Sequence, residues 1–198
     1  MRGDREREVE LRVRMAAELP EGLVAHIDRV VELAGVLARR HGLDAARARL
    51  MAQGHDVLRH LPPDELLRRA GECGLELDAA DRDEPVILHG PLGALELARR
   101  FSIDDAEVLF AIHWHTTGHP DYTPEAWAMF VADKVEPHKL EGWPALAAVR
   151  ETADASLEQA ACEYLDLRLQ DGIAAGYTVH PMALTARNHL LRTRRQPR

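Results

Sequence analysis

Hydrophobic residues recur along most of the chain with the three- and four-residue spacing of an amphipathic helix. The clearest stripe runs through Leu23, Ile27, Val30, Ala34 and Leu37, and a basic pair and a glycine follow it. Successive helical residues turn by roughly 100°, so this spacing places the apolar side chains on one face. No segment alternates convincingly between apolar and polar residues as a strand does. The pattern predicts an all-α fold.

The same spacing, together with proline and glycine breaks, predicts several further helices. They span residues 4–18, 45–53, 93–100, 104–115, 124–135, 157–170 and 181–191, and another helix begins after the proline pair 62–63. Residues 71–85 combine turn formers with many acids, and we expect a loop there. The closely spaced turns of the second half are typical of a helical bundle around a central site.

The length of 198 residues and the apolar fraction of 46% fit one core. We expect a charged N-terminal helix in residues 1–19 and one domain in residues 20–198. The first helix, with few large apolar residues, is interpreted as a solvated flap rather than as a dimer element, although both remain open.

The net charge of −8 argues against partners that need a basic surface, such as nucleic acid or an anionic membrane. The expected partner is a small molecule, and bound metal ions are one way for an acidic protein to attract a phosphorylated substrate. Cys73 and Cys162 lie far apart and suggest neither a disulfide framework nor a zinc site. The charged first residues lack the apolar region of a signal peptide, so we expect a cytoplasmic protein.

Eleven histidines provide the candidate chemistry, and the doublet His55-Asp56 is the most informative part of it. Adjacent residues on a helix diverge by roughly 100°, and they rarely share one purpose unless both converge on an ion at the bundle axis. A carboxylate in that position can bridge two metal ions. Two close ions suit the hydrolysis of phosphate esters and anhydrides.

The ordered set His26, His55-Asp56, His89, His115 and Asp133 resembles the ligand pattern of the HD-domain superfamily of metal-dependent phosphohydrolases. The words LHGPLGA (88–94), AIHWHTTG (111–118), FVADKVEP (130–137) and HPMALTARNHLL (180–191) resemble the bacterial HD family of symmetrical bis(5'-nucleosyl)-tetraphosphatases. The resemblance covers residues 20–192. It implies an all-α HD-domain bundle around a central metal site and symmetrical hydrolysis of diadenosine tetraphosphate to two ADP.

The resemblance also implies the metal ligands and the catalytic residues. His26, His55, Asp56 and Asp133 would hold one ion, and Asp56 would bridge to a second ion held by His89 and His115. The family's metal is typically iron, whereas the ligand types alone also allow manganese, cobalt or zinc. Asp56 and Arg59 would be the catalytic residues.

Several neighbouring residues are candidates for substrate contact. Thr116, Thr117 and Gly118 follow His115 at a predicted helix end, where hydroxyls and amides could meet phosphate oxygens. Arg29 lies one turn after His26 and could reach the same cavity. The remaining candidates come from the resemblance: Lys139 after the EP turn and the late pair Arg187-Asn188.

His113 lies two residues before His115, and only one of them should face the ions if both are helical. The resemblance selects His115 and leaves His113 as a possible supporting or phosphate contact. The family usually has lysine at position 59 and arginine at position 139, and this chain reverses both. These departures leave open an HD phosphohydrolase for another nucleotide, or an inactive regulatory protein that binds metal and nucleotide. A homodimer is also possible.

Overall fold

The computed structural model describes residues 3–195, and all regular structure within that range is helical. The all-α prediction is therefore confirmed. The helices are α1 (Asp4–Glu18), α2 (Glu21–Arg40), α3 (Ala45–Gly54), α4 (Pro63–Glu72), α5 (Ala79–Asp83), a 3-10 turn (Pro85–Leu88), α6 (His89–Arg100), α7 (Ala106–His113), α8 (Pro124–Lys134), α9 (Pro137–Gly142), α10 (Leu146–Ala153), α11 (Leu157–Ala175) and α12 (Pro181–Arg195).

Helices α2, α3 and α8 form the centre of the bundle. Helix α2 packs against α3 and α8, and α3 also packs against α8. The stripe on α2 is buried as its spacing predicts, with Ile27, Val30, Ala34 and Leu37 at most 1% exposed. Burial of each large aliphatic side chain contributes roughly 1.5–3 kcal/mol. Helix α8 is buried from Ala126 to Lys134, so the polar residues at its end reach the interior.

Helix boundaries follow side-chain caps. Asp44 begins α3 by accepting hydrogen bonds from the backbone N–H groups of Ala46 and Arg47. Thr123 begins α8 in the same way, accepting from the N–H of Ala126, with proline at the first helical position. Such caps satisfy N–H groups that have no partner inside the helix.

The acidic stretch 71–85 is not the loop that its composition predicts. Helix α4 continues to Glu72, and α5 follows with a capping box in which Asp78 and Asp81 accept each other's backbone N–H. Reciprocal capping of this kind stabilises even a short helix. Two further short helices, α9 and α10, were not predicted individually, and α6 begins at His89 instead of residue 93.

The first helix is not a solvated flap. Leu11 and Met15 are 3% and 1% exposed in the core, while Val9 and Val13 face outward. Glu8 is also buried and accepts hydrogen bonds from Arg49 of α3. Helix α1 thus covers the outer side of α3. The predicted segments also include residues 1, 2 and 196–198, which lie outside the described residues.

None of the described helices is both long enough and apolar enough to cross a membrane.

Candidate metal centre

Five separate parts of the bundle deliver the six predicted ligands to one place. His26 comes from α2, His55 and Asp56 from the turn after α3, His89 from the first turn of α6, His115 from the turn after α7, and Asp133 from α8. The doublet was predicted within a helix, but α3 ends at Gly54. His115 also lies beyond its helix, which ends at His113. Both residues sit in turns, where the backbone can redirect a side chain.

Asp56 lies at the middle of the cluster and presents one oxygen to each side. Its Oδ1 is 2.9 Å from His89 Nε2 and 3.4 Å from His115 Nε2. Its Oδ2 is 3.6 Å from His26 Nε2 and 3.5 Å from His55 Nε2. A carboxylate placed in this way can bridge two ions, with one oxygen on each.

Asp133 belongs to only one side. Its Oδ1 lies 3.4 Å from His26 Nε2 and 3.5 Å from His55 Nε2. We call the group His26, His55 and Asp133, with Asp56 Oδ2, the carboxylate half. The group His89 and His115, with Asp56 Oδ1, is the histidine half.

Backbone carbonyl groups orient three of the four imidazoles. His55, His89 and His115 each donate their Nδ1 hydrogen to the carbonyl oxygen three residues earlier, that of Ala52, Val86 and Ile112 respectively. A carbonyl can only accept, so Nδ1 carries a proton and the other ring nitrogen, Nε2, faces the cluster, where it can act as a metal ligand. Metal-binding histidines usually have their other ring nitrogen hydrogen-bonded in this way.

The donor set fits metal ions. His55 Nε2 is buried without a hydrogen-bond partner among the described residues, although it faces two carboxylates. His89 Nε2 and His115 Nε2 lie 2.9 Å apart, so two lone pairs would face each other. A cation between imidazole and carboxylate groups removes both conflicts, and the mixed N and O ligands suit a first-row divalent metal.

Glu136 completes the carboxylate half and was missed by the sequence analysis. It is 2% exposed, and its Oε1 lies 3.4 Å from His26 Nδ1. Arg29 Nε donates to Glu136 Oε2 at 2.7 Å. Arg29, which was predicted to contact substrate, therefore supports His26 through Glu136. The signal was present in the motif FVADKVEP, whose glutamate lies three residues after Asp133.

The titration behaviour of the cluster follows from burial and charge. Burial alone would raise the pKa of Asp56 and Asp133, but the histidines around Asp56 and the lysines at Asp133 hold both pKa values well below the usual range. Burial lowers the pKa of His115 to about 3. Burial also opposes protonation of His55, yet the charges of Asp56 and Asp133 raise its pKa. Asp56 and Asp133 are therefore both ionised, which favours the binding of cations.

Two lysines contact Asp133. Lys134 Nζ lies 2.6 Å from Oδ2, and Lys139 Nζ lies 2.6 Å from Oδ1. Lys134 is buried, and the sequence analysis did not include it among the site residues.

A cavity of about 440 Å³ opens onto the cluster. The predicted residues Arg59, Thr116, Thr117 and Lys139 line it beside Asp56, His89, His115 and Asp133. Lys134 and Arg168 add two unpredicted cations, and Tyr177 and Val179 form part of an outer wall. Cations beside an ionised cluster are suited to binding phosphate oxygens.

Four predicted substrate contacts are not among the described residues that line this cavity. Besides Arg29, Arg187 pairs with Asp166 at 2.6 Å and contacts the Asn188 side-chain oxygen at 3.3 Å. Gly118 has a φ of +71° and lies against the ring of Trp127, so its role is a tight turn. A substrate contact is not supported for Arg29, Gly118, Arg187 or Asn188.

His113 turns away from the cluster. Its ring packs against Trp114, with centroids 4.5 Å apart, and burial followed by the charge of His119 lowers its pKa. It lines a smaller neighbouring pocket with Leu75 and Trp114.

Asp78, Asp81 and His180 form another group whose side-chain atoms lie within 4.8 Å of one another. His180 Nδ1 accepts the backbone N–H of Met182 at 3.0 Å, so the neutral ring carries its proton on Nε2. That nitrogen faces the two carboxylates at 3.5 and 3.6 Å as a donor and not as a ligand. Together with the hydrogen bond from Thr178 to Asp83, this contact joins α5 to the start of α12 along the cavity wall.

Comparison with known families places this architecture. Residues 23–138 match the HD domain, which covers more than half of the chain and contains all six clustered residues. The chain belongs to the HD-domain family. The predicted family is therefore confirmed, and the protein is a hydrolase of the HD superfamily whose His and Asp clusters could hold divalent metal.

Relatives of this HD-domain protein include two enzymes named symmetrical bis(5'-nucleosyl)-tetraphosphatase. The one from Bacillus subtilis is 31% identical over 143 residues, which cover 72% of this chain and 75% of the relative. The one from Halalkalibacterium halodurans is 30% identical over 173 residues, covering 87% and 91%. A solved structure from Clostridium acetobutylicum, described as a predicted HD superfamily hydrolase involved in NAD metabolism, superimposes with a TM-score of 0.86. It is 28% identical, with 93% of this chain and 96% of that chain covered.

Proposed function

We propose that this HD-domain hydrolase cleaves diadenosine tetraphosphate symmetrically to two ADP. The observation that carries the proposal is the pair of ligand halves joined by Asp56 at the floor of a cavity lined by four cationic side chains. The names of the relatives support the nucleotide class. Iron is the metal that we propose for the two positions, with residues 20–198 as the functional unit.

The cationic side chains provide the means to bind a polyphosphate. Arg59 and Lys139 line the cavity together with Lys134 and Arg168. Arg59 can offer two parallel N–H groups to one phosphate, whereas a lysine ammonium acts as a point charge. A tetraphosphate chain carries enough charge to engage Arg59, Lys139 and Arg168 at once, while Lys134 stays paired with Asp133. Tyr177, half exposed at the outer wall, offers an aromatic face to a base.

The remaining residues of the site would position the metal ions and the phosphate groups of the substrate. Bound divalent ions polarise phosphoryl oxygens and lower the pKa of water, so that a nucleophile is available near neutral pH. Asp56 fixes the spacing of the two halves. Hydrogen bonds to backbone carbonyls hold three of the imidazole rings in place. Thr116, beside His115, lines the cavity where its hydroxyl can meet a phosphate oxygen, whereas the hydroxyl of Thr117 donates to the carbonyl oxygen of Gly118 at 3.1 Å. Orientation and charge stabilisation account for most of catalysis in phosphoryl transfer.

A second candidate is hydrolysis of another nucleotide. It is favoured by the description of the Clostridium acetobutylicum structure, which mentions NAD metabolism, and by the exchanged arginine and lysine at positions 59 and 139. An arginine and a lysine differ in geometry at a phosphate, so this exchange bears on substrate choice more than on the metal ligands.

Product analysis separates these candidates. Metal-loaded protein is incubated with diadenosine tetraphosphate, ATP, dATP, AMP or NAD, and the products are separated by ion exchange. ADP alone from the dinucleotide supports the proposal, while ATP with AMP would mean asymmetric cleavage and contradict it. Consumption of a different nucleotide, with the dinucleotide intact, would establish the second candidate. The Asp56→Ala variant serves as the background control.

Arg59→Ala tests the phosphate contact. Loss of a charge-assisted hydrogen bond corresponds to about 1.5–3 kcal/mol, so we expect KM for the dinucleotide to rise about tenfold or more. Metal content should stay unchanged, because no described contact joins the Arg59 side chain to the ligand residues. The Arg59→Lys variant is the matched control and should recover part of the affinity. An unchanged KM in the alanine variant would remove Arg59 from the site.

A further inference from the structure

Two lysines divide the two oxygens of Asp133 between them. Lys134 Nζ contacts Oδ2 and Lys139 Nζ contacts Oδ1, both at 2.6 Å. The charges and distances are therefore the same. The two contacts differ in the oxygen that is engaged and in the surroundings of the ammonium group.

Lys134 is confined. Its side chain is 9% exposed, and its Nζ lies 5.1 Å from the centre of the Phe130 ring and 5.7 Å from that of Tyr164. A buried ammonium group is costly unless it keeps a charged partner, and the aromatic faces add only modest attraction. Asp133 Oδ2 is the carboxylate oxygen that supplies this partner, so Lys134 remains on that oxygen.

Lys139 is comparatively free. Its side chain is 39% exposed, it comes from the short helix α9, and it lines the open cavity. The ammonium group can leave Asp133 for water or for a phosphate at small cost, because its stem is flexible and the side chain is already exposed to solvent.

The two oxygens also face different groups. Oδ1 lies 3.4 and 3.5 Å from the Nε2 atoms of His26 and His55, whereas the close contact of Oδ2 is with Lys134. Oδ1 is thus the atom that can share an ion with the two imidazoles. An ammonium group on that same oxygen carries the same sign of charge as the ion and occupies part of its space.

We propose that Lys134 is a permanent positioning residue for the metal centre and that Lys139 is a displaceable one. Lys134 holds Oδ2 and leaves Asp133 with a single oxygen for the ion. Lys139 gives up Oδ1 when an ion binds, and its ammonium group then turns to an anionic substrate in the cavity. The roles of Lys134 and Lys139 toward Asp133 rest on the metal centre alone. The contact of Lys139 with the substrate rests also on the proposed function.

The test is a titration of the apoprotein with Mn²⁺ or Co²⁺ in the absence of nucleotide, comparing Lys134→Met with Lys139→Met. Both variants remove one charge at the same distance from the same carboxylate. Loss of positive charge alone would strengthen cation binding in both variants, and more at the buried Lys134, so a weaker affinity in Lys134→Met would not come from the general electrostatic effect. Loss of an outer-shell partner typically costs about 10- to 100-fold in metal affinity. We expect Lys134→Met to bind one of two ions about 10- to 100-fold more weakly than Lys139→Met does. Lys139→Met should bind as tightly as the unaltered protein or more tightly.

The histidine half provides an internal control, because neither lysine contacts His89 or His115 in the described structure. A second ion bound with unchanged affinity shows that a variant is folded, and circular dichroism checks this independently. The Lys134→Arg variant, which keeps the charge, should recover part of the lost affinity. Equal changes in the two methionine variants, or a larger loss in Lys139→Met, would overturn the proposal.

Kinetics then separate this inference from the proposed function. With metal saturating, Lys139→Met should raise KM for diadenosine tetraphosphate, while Lys134→Met should mainly lower kcat. If the affinities divide as expected but no dinucleotide is hydrolysed, the metal roles stand and the proposed function fails. If the dinucleotide is cleaved but the two metal titrations agree, the proposed function stands and the division of roles fails.

Discussion

The two halves of the metal centre share Asp56, but different interactions support them. In the carboxylate half, His55 has a backbone anchor, but the other ligands depend on charged side chains: Glu136 contacts His26, and two lysines contact Asp133. In the histidine half, both imidazoles are anchored to backbone carbonyls of their own segments. One half is therefore sensitive to charge, and the other to the path of the backbone.

This contrast implies that the two halves respond differently to substitution. Long side chains from α2, α8 and the turn after it must converge before the carboxylate half exists, so its strength depends on several ion pairs. The histidine half forms wherever the α6 and α7 segments are correctly placed. Substitutions that remove a charge should weaken metal binding mainly in the carboxylate half. Substitutions that move the backbone should weaken it mainly in the histidine half.

Asp56→Ala should have the largest effect, since it removes the one side chain that both halves share. We expect both metal affinities to collapse and hydrolysis to fall to background. Elemental analysis of the purified variant and a product assay measure the two losses together. Full activity in this variant would disprove the ligand assignment for both halves.

Glu136→Gln should affect the carboxylate half alone. The amide is nearly isosteric and its oxygen can still cap α9, where Glu136 Oε2 accepts the N–H of His138. The charge that supports His26 is lost, and we expect one metal affinity to fall about 10- to 100-fold. Calorimetric titration should show the second affinity unchanged. A parallel loss in both steps would contradict the separation of the halves.

Gly90→Ala should affect the histidine half. A Cβ atom there would lie 2.6 Å from the His113 carbonyl oxygen and 3.4 Å from His115 Nδ1, so backbone must move. Overpacking of this kind costs about 1–3 kcal/mol of unfolding free energy. Thermal or denaturant unfolding of the metal-free protein measures the cost, and metal titration should show weaker binding at one step.

Gly71→Ala is the matched control for this change. Gly71 lies in α4 with nothing within 4 Å of an added Cβ. Alanine is favoured over glycine inside a helix by roughly 0.5–1 kcal/mol, so this variant should be slightly stabilised with unchanged metal binding.

Asp105→Asn should leave both halves of the metal centre intact and affect only the stability of the fold. Asp105 pairs with Arg47 through two hydrogen bonds and caps α7. Asparagine keeps the cap but not the charge, so we expect a loss of about 1 kcal/mol at neutral pH. The hydrogen bond from Arg47, the largest cause, lowers the pKa of Asp105 in the folded state.

The sign of the pH dependence follows from that lowered pKa. The ion pair stabilises the fold above the ordinary carboxyl pKa, and this stabilisation is lost as the pH falls through the folded-state pKa. The difference between the two proteins in denaturant unfolding should therefore shrink on acidification. A difference that stays constant down to low pH would mean that the charge of Asp105 plays no part.

The sequence predicted the long helices better than the short ones. The apolar stripe predicted on α2 is buried, and the limits predicted for α1, α3 and α8 agree with the structure to within one residue. Helix α5 was missed because it buries little beyond Ala80 and depends on the reciprocal cap between Asp78 and Asp81. Periodicity cannot detect a helix that is stabilised mainly by its ends.

The sequence predicted the candidate metal ligands better than it predicted the residues that surround them. The structure brings the six predicted ligand residues together, and their role in binding metal stays a prediction. Glu136 and Lys134 were missed, and Arg29 was assigned to the cavity, because these roles depend on how a long side chain turns after the backbone is placed. Helical spacing predicts which face a residue occupies, but not which of two acids an arginine will reach.

The hydrogen bonds from the histidines to Ala52, Val86 and Ile112 have a consequence for the order of events after synthesis. The acceptors belong to the same short segments as the imidazoles, so the rings acquire their direction as those segments fold. The chain itself therefore sets the ring directions, and an entering ion would meet imidazoles that already point toward the cluster.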